Sequence, residues 1–321
     1  MPDNRPVLLV DGLNIFMRHF VVNPSLSESG LHVGGVVGFL NGLKNLVRRI
    51  GPERVVVVWE GGGSPRRRAI YKDYKKGKRP QRLNRYYSDD LPDTVENRDN
   101  QITLLINLLK EVPVSQIYVA DCEADDVIGF LVKNHYSQKR VVVASSDKDL
   151  YQLLSKNVIQ WSPGQKKFIT CKDVLGKFGV SSANFCTARS FVGDPSDGLP
   201  GVPRAGFSTL SKRFESLRHD EHVSVEKIIK LSSKLVENSN LLIYTNIVEN
   251  QEIARRNWKL MNLDTKNLSA FQIEKVNFLI NEISQASNKM SLIKKMYEAG
   301  IKNFDIDTFF SSVTTNIIRS T

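Results

Sequence analysis

Nine carboxylates recur along the 321-residue chain in short clusters, and most follow directly on an apolar, strand-like run. They are Asp11, Glu60, Glu123, Asp125, Asp126, Asp147, Asp149, Asp194 and Asp197. Leu8-Leu9-Val10 runs into Asp11, Val55 to Trp59 into Glu60, and Val141 to Ala144 into Ser145-Ser146-Asp147-Lys148-Asp149. Each run reads as a buried strand of a parallel sheet. In open α/β sheets, ligands bind outside the carboxyl ends of the strands, so acids placed there converge although they lie far apart in sequence. So dense a cluster repels itself. Divalent cations are the usual remedy, and hard oxygen ligands favour Mg²⁺ or Mn²⁺. Taken singly, any of these Asp residues is equally readable as a helix N-cap or a first-turn acid favoured by the helix dipole. Glu123, Asp125 and Asp126, which open the apolar pattern Val127, Ile128, Phe130, Leu131, fit that simpler role too. Capping does not account for all the clusters together.

The elements that must position these acids alternate between strand and helix. Residues 1 to about 175 predict an α/β layer architecture, with further strands at Gln116 to Ala120 and Asn157 to Trp161. Helices are predicted over Gly34 to Arg49, Asn97 to Lys110, Ala124 to Asn134 and Lys148 to Leu154. From about residue 180 the strand patterns fade and helices dominate, which predicts a helical second lobe.

Composition narrows the partners. At 41% hydrophobic residues the chain can bury one large core or two modest ones. No apolar run approaches the roughly 20 residues of a membrane span. The segment Met1 to Pro6 lacks a signal-peptide pattern, which predicts a cytoplasmic protein. Cys122, Cys171 and Cys186 are odd in number and form no C-x-x-C pair, against both a disulfide framework and a zinc site. His19, His32, His135, His219 and His222 are scattered and are expected on the surface or at helix ends. The net charge is +11 despite the acid clusters. A basic body around an acidic centre suits a polyanion, of which nucleic acid is the natural candidate.

Two further segments carry chemistry. Between Arg66 and Tyr87 stand ten Lys or Arg, one acid (Asp73) and four Tyr, a mixture that neutralises phosphates while offering ring faces to bases. A solvated basic helix or a disordered arm is the plainer reading. The stretch Phe191 to Gly206 is dense in Gly and Pro, implying tight turns ahead of a helix over Phe207 to Phe214. Amides in such turns can hold a phosphate with help from Lys212 and Arg213. An ordinary loop with two surface acids is the alternative.

In this order, the segments resemble the 5′-nuclease, or flap endonuclease, family, and within it the short phage branch typified by the RNase H of T-even phages. The landmarks are Val10-Asp11-Gly12, Tyr74-Lys75-Lys76-Gly77-Lys78-Arg79, Glu123-Ala124-Asp125-Asp126, Ser146-Asp147-Lys148-Asp149-Leu150, Gly193-Asp194-x-x-Asp197 and Arg256-Asn257-Trp258-Lys259-Leu260. Gln160-Trp161-Ser162-Pro163 resembles the phage branch in particular. The resemblance covers about residues 5 to 265. It implies an enzyme that hydrolyses nucleic acid from a 5′ end, built on a twisted, mostly parallel sheet flanked by helices of the PIN-like kind.

The family layout predicts a nuclease core over 1–178, with a basic helical arch at about 64–100, a helix-hairpin-helix-type duplex-binding lobe over 179–265, and a helical region over 266–321. All nine carboxylates would then hold two or three Mg²⁺ ions, directly or through water, with Mn²⁺ able to substitute. Lys75 and Arg79 fall on the arch positions that contact the scissile phosphate, and Tyr74 on a position expected to stack on the terminal base. Arg66, Arg67, Arg68, Lys72, Lys76 and Lys78 of the arch, with Gly201, Arg204, Gly206, Lys212 and Arg213 of the hairpin, are the expected nucleic-acid contacts. The resemblance further implies a monomer acting on DNA and RNA-DNA duplexes with 5′ ends or flaps in a phage-infected bacterial cell. Cooperation with a single-strand-binding protein fits it as well.

Two positions depart from the family pattern. Glu60 stands where Asp is usual. Arg204 stands where a second Gly is common, and because Arg does not readily take a positive φ, a bound monovalent cation is not expected there and Arg204 is expected to meet phosphate directly. Near the C-terminus, Asn303-x-x-Ile306-x-x-Phe309-Phe310 resembles a sliding-clamp-binding peptide with Asn in place of Gln, against the alternative of a packed terminal helix or strand. The leading reading is a metal-dependent 5′ nuclease that removes RNA primers and 5′ flaps. A PIN-like ribonuclease and an inactive structure-specific DNA-binding protein stand beside it.

Overall fold

The structure, a computed structural model, describes residues 5–76, 95–282 and 287–318. Its first part builds one sheet. In chain order the elements are β1 (Val7–Asp11), α1 (Gly12–Val22), α2 (Gly34–Ile50), β2 (Arg54–Trp59), α3 (Pro65–Ile70), α4 (Val95–Leu109), β3 (Ser115–Tyr118), α5 (Ala124–Phe130), β4 (Val141–Ala144), β5 (Val158–Ser162) and β6 (Lys167–Ile169). The strand order is β3-β2-β1-β4-β5-β6, parallel throughout except for the antiparallel edge pair β5 and β6. Val10 is paired with Val57 on one side and Ala144 on the other.

Val-rich runs form these strands because β-branched side chains suit a pleated surface covered on both faces. Val7 and Leu9 point into one apolar layer and Leu8 and Val10 into the other. The strand order changes direction between β1 and β4, and such a switch opens a crevice at the carboxyl ends of the strands. Asp11, Glu60 and the Ser145–Asp149 turn all lie at that end.

The remaining helices are α6 (Cys171–Phe178), α7 (Phe185–Val192), α8 (Phe207–Arg213), α9 (Val225–Val236), α10 (Leu242–Glu249), α11 (Gln251–Met261), α12 (Ala270–Asn281), α13 (Lys289–Glu298) and α14 (Ile306–Ile318). Helices α6 to α11 pack into the same apolar layer as Val7 and Leu9, so this lobe and one face of the sheet share a core. Phe185 and Phe191 are fully buried there, each contributing roughly 1.5–3 kcal/mol by burial. Helices α13 and α14 cover the opposite face beside α2.

Several details differ from the sequence expectations. The segment after Asp147 is a short 3-10 helix at Asp149–Leu153 and not an α-helix. The helix expected to run through Asn134 passes at Leu131–His135 into a π turn. The three-residue strand β6 is too short for a periodic pattern to reveal. His32 is buried instead of lying on the surface, its Nε2 bonded to the Asn23 carbonyl at 2.9 Å. At the C-terminus the packed-helix alternative holds: Ile306 and Phe309 are buried in the core, leaving Phe310 half-buried and Asn303 exposed. Among the described residues, no helix is long and apolar enough to cross a membrane.

Candidate metal and nucleic-acid site

The acids lie at the ends of strands, at the start of α5 and in the turn after α7. Asp11 ends β1 and caps α1, accepting the Asn14 N–H at 3.2 Å and the Ser145 hydroxyl at 2.9 Å. The Asn14 side-chain oxygen accepts the Ser146 N–H at 2.9 Å, tying α1 to the turn after β4. Gln160 on β5 donates to the carbonyls of Ser145 and Asp147, both at 2.8 Å, and the Asp147 carboxylate accepts the Asp149 N–H at 2.8 Å. Glu60 follows β2 and accepts the Ala124 N–H at 3.3 Å. The next residue must be glycine, because a Cβ on Gly61 would lie 1.8 Å from the Val119 carbonyl oxygen.

The acids feel one another. Asp11 is half-buried, and desolvation pushes its carboxyl up to about 7, with the charges of Asp147 and Asp125 adding to the rise. Burial and the neighbouring Asp147 charge lift Asp149 to about 8. Burial and Asp125 lift Asp126 to about 7, and burial and Glu123 raise Glu60. The carboxylate oxygens of Asp149, Asp194 and Asp197 come within 4.8 Å of one another. Oxygen-only donors at this density fit a hard divalent cation. Asp149 and Asp147 follow β4, whereas Asp194 and Asp197 follow α7, so this group joins the sheet to the helical lobe.

Among the described residues, three basic side chains meet the acids: Arg67, Lys75 and Arg189. Arg67, only 1% exposed, meets Glu123 at 2.8 Å, Asp126 at 2.9 Å and Asp125 at 3.4 Å, and donates through Nε to the Leu260 carbonyl at 2.8 Å. Lys75 meets Glu123 at 2.5 Å and Asp197 at 3.8 Å. Arg189 lies 2.5 Å from Asp149 and also pairs with Asp194. Burial acts against the Asp125 charge, but Arg67 and Lys75 outweigh it and hold that carboxyl below its usual range. Burial likewise opposes the Lys75 ammonium, yet Glu123 and the other facing acids hold it charged well above its ordinary range.

The placements revise two expectations. Arg67 belongs to the acidic cluster and not to an outer phosphate-binding face, because three carboxylates and a carbonyl occupy its donors. Tyr74 is buried and donates its hydroxyl to Glu123 at 3.1 Å, so its ring is not open to a base. Arg68, Lys72 and Lys76 are exposed, and Arg66 pairs with Asn267. Lys78 and Arg79 lie outside the described residues. In the hairpin, Arg204, Gly206, Lys212 and Arg213 are exposed. Gly201 is required, since its Cβ would fall 2.0 Å from the Val192 carbonyl. Arg204 does adopt the left-handed conformation, with φ 65°, which removes the backbone argument against a family-like hairpin.

Sequence reasoning missed Arg189, Asn14, Ser145 and Asn267. Asn14 and Ser145 stand beside named acids, and a local search for carboxylate partners finds them. Arg189, five residues before Asp194 on α7, is visible only once a helix is assigned to Phe185–Val192. Asn267, which donates to Asp126 at 2.8 Å across 141 residues, leaves no local trace.

Comparison with known proteins gives this arrangement a family. Residues 6–179 match the family described as 5′-3′ exonuclease, N-terminal resolvase-like domain. The 5′-3′ exonuclease of Aquifex aeolicus is 28% identical over 309 residues, covering 88% of this chain and 99% of that protein. Flap endonuclease Xni of Shewanella woodyi is 29% identical over 276 residues, covering 83% of this chain and 98% of that protein. Among solved structures, the bacteriophage T5 flap endonuclease, in a pseudo-enzyme-product complex with DNA and metal ions, superposes with a TM-score of 0.68 at 19% identity, covering 88% of this chain and 99% of that one. That likeness is one of fold. The family match spans more than half of the sequence, and the chain belongs to the 5′-3′ exonuclease family.

Proposed function

We propose that the protein is a Mg²⁺-dependent 5′ nuclease that hydrolyses phosphodiesters near 5′ ends and flaps, removing RNA primers and 5′ flaps during DNA replication or repair. The observation that carries this is the gathering of carboxylates from the ends of β1, β2 and β4 and from the loop after α7 around an inserted lysine. Asp11, Glu60, Glu123, Asp125, Asp126, Asp147, Asp149, Asp194 and Asp197 would hold two or three ions, with Mn²⁺ able to replace Mg²⁺. When bound, such ions supply a nucleophile at neutral pH and stabilise charge on the leaving oxygen.

The protein's own groups orient the rest. Lys75 is held charged, so it acts as a fixed cation beside the transferring phosphate and not as a proton donor. Arg189 positions Asp149 and Asp194, and the Asn14–Ser146 bond fixes the turn that carries Asp147. Arg204, Lys212 and Arg213 present an exposed basic face for the duplex backbone. The products would carry a 5′ phosphate and a 3′ hydroxyl. The chain would act as a monomer, with a single-strand-binding protein as a further partner. A sliding clamp would have to engage the Asn303–Phe310 segment, whose Ile306 and Phe309 are packed inside.

The test is incubation of purified protein with a 5′-labelled flap or primer-template duplex, in Mg²⁺ or EDTA, beside Asp147→Asn. Release of short 5′ products by the unaltered protein in Mg²⁺ alone is expected. Tight binding without cleavage would favour a DNA-binding role and sink the nuclease.

A further inference from the structure

We propose that the groove between the end of β3 and the start of α12 is a binding path for single-stranded nucleic acid that leads to the acidic cluster. The proposal rests on the nuclease reading above. The groove is an open cleft of about 760 Å³ on the β3 edge of the sheet. Its lining includes Tyr118 and Phe271, which are 55% and 76% exposed. Large apolar side chains so open to water are usually kept for a partner when they cluster.

The cluster continues along one face of α12. Phe271, Lys275 and Phe278 are spaced four and three residues apart, which places them in a row on the helix surface. Phe278 is 55% exposed, and the Lys275 ammonium lies 5.5 Å from its ring centroid. An aliphatic partner would gain nothing from a cation in the middle of such a row. A nucleic-acid strand gains twice, by stacking bases on the rings and by setting phosphates against the ammonium.

Charge favours the same occupant. Arg66, Lys266 and Lys275 line the groove against one acid, Asp121. Asn267 in the same lining bonds both Arg66 and the buried Asp126 carboxylate. A strand lying in the groove is therefore one side chain away from the acids. Gln272 donates to the Ala120 carbonyl at 3.0 Å and fixes α12 against the end of β3, so the two walls are held in register before any ligand arrives. Tyr74, the ring expected from sequence to stack on a base, is buried beneath Glu123, whereas Tyr118 and Phe271 are open.

The test uses the full chain in EDTA with a fluorescein-labelled oligothymidine, read by fluorescence anisotropy. Tyr118→Ala with Phe271→Ala is expected to weaken binding by about tenfold for each stacked base lost. Lys266→Glu with Lys275→Glu is expected to flatten the salt dependence, by roughly 0.7 in the log-log slope for each phosphate contact removed. Circular dichroism and thermal midpoints check that these surface variants fold. Photocrosslinking of an oligonucleotide carrying 5-iodouracil, read by mass spectrometry, is expected at Tyr118 or Phe271. Unaltered affinity in both double variants, or crosslinks confined to other elements, would overturn the path and leave the aromatic row to a protein partner. The two readings separate through the flap assay in Mg²⁺: cleavage by a protein that fails the groove tests removes the groove alone. Failure to cleave or bind any nucleic acid removes both.

Discussion

The Lys75 ammonium and the Glu123 carboxylate meet at 2.5 Å, although 48 residues separate them in the chain. Lys75 also takes a positive φ of 54° and donates its backbone N–H to the Asp197 carbonyl at 2.9 Å. The segment that carries it is thus pinned to acids from two different parts of the fold. We predict that Lys75→Ala lowers the single-turnover cleavage rate by about 10²–10³, as loss of one preorganised charge-stabilising donor does. A rate equal to that of the unaltered enzyme in quench-flow would remove Lys75 from the chemistry.

Asp147→Asn keeps the oxygen that accepts the Asp149 N–H but loses the charge. It should abolish Mg²⁺-dependent cleavage while leaving duplex affinity within about threefold, since phosphate contacts elsewhere dominate binding. Cleavage gels and anisotropy on the same preparation decide this, and ordinary turnover would overturn the metal assignment.

Metal binding and protonation compete for the same oxygens. Asp11 rises from an ordinary 3.8 to about 7 in the folded protein, so the folded state holds this proton more tightly than the unfolded chain does. Its contribution to the stability of the metal-free protein is full below about pH 4 and is lost as pH rises through 7. A divalent ion needs the ionised carboxylate. The gain in thermal midpoint on adding Mg²⁺ should therefore be larger at pH 8 than at pH 6 by differential scanning fluorimetry. A gain independent of pH would contradict it.

Arg67 compensates several buried acids at once. Arg67→Met should cost about 3–5 kcal/mol, the range for breaking a buried pair from one side, and urea titration in EDTA would measure it. Mg²⁺ should recover part of the loss. Arg67→Lys should restore little, because one ammonium cannot reproduce bonds to Glu123, Asp126 and the Leu260 carbonyl together.

At the C-terminus, Phe309 is fully buried beside Phe304, their rings 5.7 Å apart. Phe309→Ala should destabilise the protein by about 3–5 kcal/mol, the usual cost of emptying a buried aromatic site. A change below about 0.5 kcal/mol, the scale of a surface substitution, would instead mark the residue as dispensable to the core.

Asp11, Glu60 and the Asp147–Asp149 turn were legible because each follows an unbroken apolar run, and both faces of a parallel sheet demand such runs. Asp11 and Glu60 could be placed at strand ends from the sequence with no knowledge of the crevice between β1 and β4. The compensating cations were not legible in that way. Arg67 sits in a tract of ten basic residues where composition gives no sign that one is buried, and its partners lie 56 to 193 residues away. Arg204 misled for a different reason: steric preference makes a positive φ uncommon outside glycine, but the surrounding turns impose it here. Ile306 and Phe309 left two readings open in the sequence, because a short apolar spacing serves a docking peptide and an amphipathic helix equally well.

The Leu260 carbonyl and Asn267 reach back to Arg67 and Asp126. Both stand well beyond residue 179, where the recognised family segment stops. During synthesis, Arg67, Lys75 and the acids through Asp149 emerge from the ribosome before Leu260 and Asn267, which complete their hydrogen bonds. A nascent chain halted at the family boundary would hold the carboxylates without these late contacts and without Asp194 and Asp197. The segment matched by the family thus lacks part of its own centre, which the turn after α7, α11 and the loop that follows α11 complete.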